Sequence, residues 1–171
     1  MTLPHLVRTT RARRFVSGVC ALALATGVLG LMAGPASAEQ KCTGRPDSNV
    51  CLDITSNSNQ STYFIHVGID VHMSLQEAQA YVSQGRPFTV TMMGADTFDD
   101  DTLFTVPMSA LGASAESGLS ADFDVAVAQF SMDEDDSFFD DVDEVYASID
   151  LFNARSGRHF NYRSDQFTQV F

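Results

Sequence analysis

The chain has no tryptophan, only three cysteines, and ten basic residues against 22 acidic ones. The scarcity of positive charge argues against nucleic acid as a partner, because phosphate backbones are gripped by clustered Lys and Arg and repelled by a field of the opposite sign. Also missing are G-x-S-x-G, H-E-x-x-H and the P-loop, so no familiar hydrolase or nucleotide machinery is spelled out. With no C-x-x-C, thiol redox catalysis is set aside. Lacking Trp, the core falls to the aliphatic residues and thirteen Phe.

What is present begins with an export signal. Before residue 15 the only charges are Arg8, Arg11, Arg13 and Arg14; residues 15–34 are apolar, and Pro35-Ala36-Ser37-Ala38 follows. This is the n-region, h-region and A-x-A order of a secretory signal. The rival reading is a transmembrane anchor, since the apolar run approaches bilayer-spanning length. Its Gly and small residues, and the cleavage site directly behind them, favour removal after Ala38 and no stable membrane anchor. Arg13-Arg14-Phe15 has the twin-arginine pair with Phe one place nearer than that route's usual spacing, so Sec and Tat both stay open. Cys20 has no lipobox-like sequence before it, which argues against a lipoprotein. The expected organisation is a signal over residues 1–38 and one secreted, extracellular domain over 39–171, long enough to bury its own core.

Cleavage changes the electrostatics. It removes four of the ten basic residues and no acid, leaving six against 22, a formal charge of −16 on 133 residues. That field attracts cations and basic partners; the plainer reading is a surface that keeps a secreted protein soluble. Cys42 and Cys51 remain as an even pair, expected to form a disulfide outside the cell. Closing so short a loop stabilises by about 2–3 kcal/mol on the chain-entropy model, and staples the amino-terminal arm onto the first strand.

Along the mature chain, Tyr63, Ile65, Val67, Ile69, Val71 and Met73 alternate with Phe64, His66, Gly68, Asp70 and His72, a strand with one apolar face. Ser74-Leu75-Gln76-Glu77 is a capping box. It opens a short helix with Leu75, Ala78, Tyr81 and Val82 on one side, stopped by Gly85 and Pro87. β character resumes over 88–93, an acidic loop covers 96–102, and a strand over 103–106 ends at Pro107. The small residues of 109–121 read as a flexible surface loop. Phe123, Val125 and Val127 start a strand that runs on through Phe130 and Met132; Val145 to Leu151 alternate again, and Arg155-Ser156-Gly157 turns a final hairpin. Several short strands and a single helix predict an all-β fold, mainly an antiparallel β-sandwich or barrel with one short α-helix.

The densest chemistry is the run from Asp133 to Glu144, eight acids in twelve residues. Carboxylates so crowded repel unless cations or water separate them, and Ca²⁺ takes six to eight oxygen ligands from such loops. Asp133, Asp135, Ser137, Asp141 and Glu144 match EF-hand positions 1, 3, 5, 9 and 12, but Phe138 stands where the turn needs Gly, and the flanks have strand period. An EF-hand is rejected. With Asp133, Asp135 and Asp140 or Asp141 in a strand-flanked loop, the segment resembles the third calcium loop of C2 domains, over about forty residues. The resemblance implies a β-sandwich gripping Ca²⁺ between loops at one end, with Asp96 and Asp101 of the earlier acidic loop as partner ligands. Phe138-Phe139 reads as a plug folded back onto the core, with a contact for a partner as the alternative.

His66, Asp70 and His72 share a strand face, and Asp70 and His72 are near enough along it for one small ligand, as a metal site or a base with its orienting partner. The plainer reading is the polar face of an amphipathic strand. The functional expectation is a secreted acidic binding or structural module, calcium-stabilised at one end, leaning away from catalysis. Two alternatives stay open: a small extracellular hydrolase using carboxylates or Asp70 with His72, and an inhibitor or toxin-like protein binding an enzyme or host target through 109–121 or the disulfide loop.

Overall fold

Period-two alternation of apolar residues builds almost every element of the domain, since successive strand side chains point to opposite faces. In the computed structural model, which describes residues 38–95, 100–132 and 143–169, ten strands form two antiparallel sheets, with one short α-helix. All described residues belong to one compact unit, Ala33–Phe171. The segment read as an export signal, residues 1–38, lies outside the described residues apart from Ala38.

Sheet A has the order β1 (Ala38–Gly44), β2 (Ser48–Ser56), β3 (Thr62–Val71), β7 (Gly118–Ala128), β6 (Met108–Ser114). Sheet B places β8 (Asp143–Asn153) beside β4 (Phe88–Gly94), with β5 (Asp101–Val106) beyond β4. The other edge of β8 is covered by two strands in succession, β9 (Arg158–Arg163) and β10 (Phe167–Gln169). Between these two the register against β8 slips by one residue, from Ser148↔Arg163 to Val145↔Phe167. The slip is a bulge. It turns Phe167 fully into the core, while buried Ser164 accepts from the Ala147 N–H through its hydroxyl oxygen at 2.9 Å.

The two sheets pack face to face. Leu52, Ile65, Val67 and Phe123 of sheet A meet Val90, Met92, Ile149 and Leu151 of sheet B. Phe88 and Phe123 touch edge to face across the layer at 6.1 Å. Each such side chain contributes about 1.5–3 kcal/mol by leaving water, so the inner faces leave little freedom to the register. Helix α1 (Leu75–Val82) starts where the capping box predicts, Ser74 Oγ accepting from Glu77 N–H at 3.3 Å, and passes into the left-handed Gly85. Ala78 and Tyr81 are buried under it, while Leu75 stays exposed.

Three expectations need correction. Residues 109–121 are not a loop: they form most of β6, a tight turn at 115–117 and the start of β7. Their small side chains leave no strand signature of their own, and pairing along β7 decides the conformation. The strand after Phe123 ends at Ala128 and gives way to a 3₁₀ turn, Gln129–Ser131, whose Phe130 is 80% exposed. The acidic loop expected over 96–102 has its last two residues already paired in β5, Asp101 opposite Gly94. The disulfide forms as expected, joining directly opposed residues of β1 and β2.

Gly118 shows how tightly the β6–β7 turn abuts the end of β3. Its φ is +80°, and a Cβ there would lie 2.3 Å from Val71 O and 2.7 Å from Met73 N, both backbone atoms that cannot step aside. Gly118→Ala is expected to cost about 2 kcal/mol or more, from the left-handed φ together with the clash, read as a lower urea midpoint at unchanged slope.

Candidate functional site

Cross-strand register assembles the site. Directly opposite residues in an antiparallel sheet share a face with Cβ atoms about 4.5–5.5 Å apart. On the outer face of sheet A one such row runs Gln40, Asp53, His66, Asp124 across β1, β2, β3 and β7. The row on one side holds Thr55, Phe64 and Ala126; that on the other holds the disulfide, Gly68 and Asp122.

His66 is the centre of this face. Its Nδ1–H donates to Asp124 Oδ1 at 2.8 Å, and its Nε2 lies 3.8 Å from Asp122 Oδ1. The Ser109 hydroxyl, at the bulged start of β6, donates to the other oxygen of Asp124. The Ser109 hydroxyl and then the His66 hydrogen bond hold the Asp124 carboxyl below the usual carboxylate range. Next to the row is an open hollow of about 600 Å³ walled by Asp53, Thr55, Phe64, His66, Asp124 and Ala126. Phe64 is 52% exposed there, a large ring left in water on a sheet face.

Ser109, Asp124 and His66 have the residue types of a nucleophilic triad but not its geometry. A serine is activated by hydrogen bonding to the free nitrogen of a histidine whose other nitrogen is held by a carboxylate. Here the serine and the histidine bind the same carboxylate in parallel, and His66 Nε2 faces Asp122 instead. Asp124 and Asp122 also sit against opposite nitrogens of the ring, so they do not converge on one cation. Among the described residues no group of three or more His, Cys, Asp or Glu is arranged to hold a metal ion.

His66, Asp70 and His72 do not come together. Asp70 accepts from the Ser120 hydroxyl at 2.6 Å on the strand beside it. His72 lies past the end of β3, where Nδ1 meets Pro46 O at 3.0 Å and its backbone N–H donates to Asp47 O at 2.9 Å, clasping the first hairpin turn. Asp53, Phe64, Ser109, Asp122 and Asp124 were missed by sequence reasoning. The alternation places Asp122 and Asp124 on a polar face; which strand that face adjoins is a matter of register.

Of the candidate calcium ligands, Asp96, Asp133, Asp135, Asp140 and Asp141, and with them Phe138-Phe139, lie outside the described residues. Asp101 and Glu144 are described, both exposed, on strands either side of β4. Gly94 of β4 pairs with Asp101 on one side and Val145 on the other, and the Ala95 N–H donates to Glu144 O at 2.6 Å. Beside them the Tyr146 hydroxyl donates to Asp100 Oδ2 at 2.5 Å, and the Arg163 guanidinium lies 3.4 Å from the Tyr146 ring centre. Burial first, and then the bond to Asp100, raise the pKa of Tyr146.

A second cavity, about 530 Å³, lies between α1 and the β8–β9 turn, with Glu77, Tyr81, Gln84 and Arg155 among its walls. Its best polar groups are already used to pin the helix to the turn: Asn153 Nδ2 donates to Tyr81 Oη at 2.8 Å, and the Ala154 N–H to Gln84 Oε1 at 2.9 Å. No family model matches the chain, and neither does any curated protein or solved structure.

The Asp124 arrangement has a checkable signature. In Ser109→Ala the Asp124 carboxyl is expected to titrate closer to its ordinary value, followed by carbon-detected NMR. Because a depressed carboxyl adds stability above its unfolded pKa that is lost as pH falls through the folded one, the variant's deficit should vanish in acid below both values.

Proposed function

We propose that the protein is an exported, acidic binding module whose working surface is the outer face of sheet A. The observation that carries this reading is the hollow beside His66, where Phe64 stands 52% exposed among Asp53, Thr55, Asp124 and Ala126. Aromatic rings left in water on an otherwise short-chained face favour contact with a partner. The signal-like amino terminus and the Cys42–Cys51 disulfide support an oxidising, extracellular setting. Binding is favoured over hydrolysis because Ser109 and His66 share Asp124 instead of forming a relay.

A random-peptide display selection against the disulfide-closed protein tests this. Selected peptides are expected to lose about tenfold or more in affinity on Phe64→Ser. Peptides that bind Phe64→Ser as well as the unaltered protein would place the working surface elsewhere and sink the reading.

A second reading concerns the far end of sheet B: the two acid-rich segments bind Ca²⁺ there. Its support is the adjacency of their described ends, with Gly94 between Asp101 and Val145 and Ala95 bonded to Glu144, together with the density of oxygen donors between Asp133 and Glu144. Removing calcium is expected to lower the melting temperature at fixed ionic strength, and Asp135→Asn with Asp141→Asn to abolish that dependence. An unchanged melt after exhaustive chelation would rule it out.

A further inference from the structure

The charge distribution narrows what sheet A takes. Asp53, Asp70, Asp122 and Asp124 all point outward from β2, β3 and β7. None of the six basic residues after position 38 shares that face. Lys41 turns toward Gln166 and the Phe167 ring, Arg45 lies in the first turn, Arg86 precedes β4, and Arg155, Arg158 and Arg163 belong to the β8–β9 hairpin of the other sheet. The formal charges on this face are of a single sign.

The rest of the face is short. Gly68, Ser120 and Ala126 occupy outward positions between the carboxylates, so the sheet backbone lies open with the Phe64 and His66 rings standing above it. Gly68 has no conformational need to be glycine: a Cβ there would meet only His66 Nε2 at 3.6 Å and Asp122 Oδ1 at 3.7 Å, ordinary contacts. Its bareness leaves a dimple beside Asp122. The carboxylates also differ in their commitments. Asp124 has both oxygens engaged, by His66 and Ser109. Asp122 Oδ1 lies 3.8 Å from His66 Nε2, beyond hydrogen-bonding reach, and Asp53 accepts from the short Thr55 hydroxyl at 2.9 Å.

We infer that this face docks a basic segment of another protein, with arginine or lysine heads pairing with Asp122 and Asp53 while an adjacent apolar side chain enters the hollow against Phe64. The inference rests on sheet A being the binding surface and adds the chemistry of what binds. Asp124 then acts as a positioning residue that fixes the His66 ring at the edge of the hollow. Arginine suits the site better than lysine, because its planar head pairs with a carboxylate in two places and stacks on aromatic rings. The acidic field of the domain steers such a partner in, so association should slow as salt rises.

The test is an anisotropy titration of the disulfide-closed protein with a labelled short peptide of alternating Arg and Leu, against a counterpart of Glu and Leu. Only the Arg peptide is expected to bind. Asp53→Asn with Asp122→Asn should weaken it about tenfold, and Glu116→Gln with Asp165→Asn, which removes equal charge elsewhere, less than about twofold. Amide-shift mapping on the unaltered protein gives the same answer without substitution, with shifts expected on β3 and β7. Equal losses in the two double variants would reduce the effect to diffuse charge and overturn the inference. So would failure of the Arg peptide to bind, shifts confined to α1 or the β8–β9 hairpin, or a self-association that the Asp53/Asp122 variant abolishes, which would make the occupant a second copy. Displayed peptides that need Phe64 yet lack Arg and Lys would keep sheet A as the binding face and overturn only its basic partner.

Discussion

Strand β3 is paired along nearly its whole length on both sides, with β2 and with β7, and that double pairing is the constraint on which the rest hangs. Its inward residues Tyr63, Ile65, Val67 and Ile69 are almost wholly buried. A slip of one residue would expel all of them and draw Phe64, His66 and Asp70 inward. The outer face is therefore held in register by the inner one: His66 stands opposite both Asp53 and Asp124 because no other alignment satisfies the core.

The elements around β3 are shaped by how they reach it. β1 adds one more strand beyond β2 and is cross-linked to it by the Cys42–Cys51 bridge, which ties an edge strand near the chain's amino terminus. On the other flank the β6–β7 turn comes so close to the end of β3 that only Gly118 fits. A single residue, Pro107, separates β5 of sheet B from β6 of sheet A, and its carbonyl accepts from the Asp124 N–H at 3.2 Å. The strand that carries Asp122 and Asp124 is thus hydrogen-bonded to the link between the two sheets as well as to its neighbours in sheet A.

Two groups of acids in the domain differ in their physics. On sheet A they are spaced by the pleat and the inter-strand distance, alternate with short side chains, and are partly answered by His66, Ser109, Ser120 and Thr55. That spacing suits an extended partner carrying several cations. Between Asp133 and Glu144 the acids are crowded along the chain, and the described ends of the two acid-rich segments are neighbours, the Ala95 N–H donating to Glu144 O. Crowding of that kind suits a small hard cation.

The amino-acid sequence by itself determined the elements whose signals are local: the alternation of β3, the Ser74 cap and Gly85 stop of α1, the Arg155-Ser156-Gly157 turn, the cysteine pair and the all-β class. It misread 109–121, because alanine, serine and glycine have no preference strong enough to announce a strand and take theirs from β7 and β3. It picked out His66 but gave it Asp70 and His72 as companions, the neighbours along the chain. The companions it has in space, Asp53 and Asp124, come from strands that precede β3 by a tight loop and follow it by an excursion through sheet B. Which residues oppose one another across strands is decided by packing the two inner faces together, a long-range condition that no local pattern records. The strands could be read from the chain; which side chains share the outer face of sheet A was decided only when they paired.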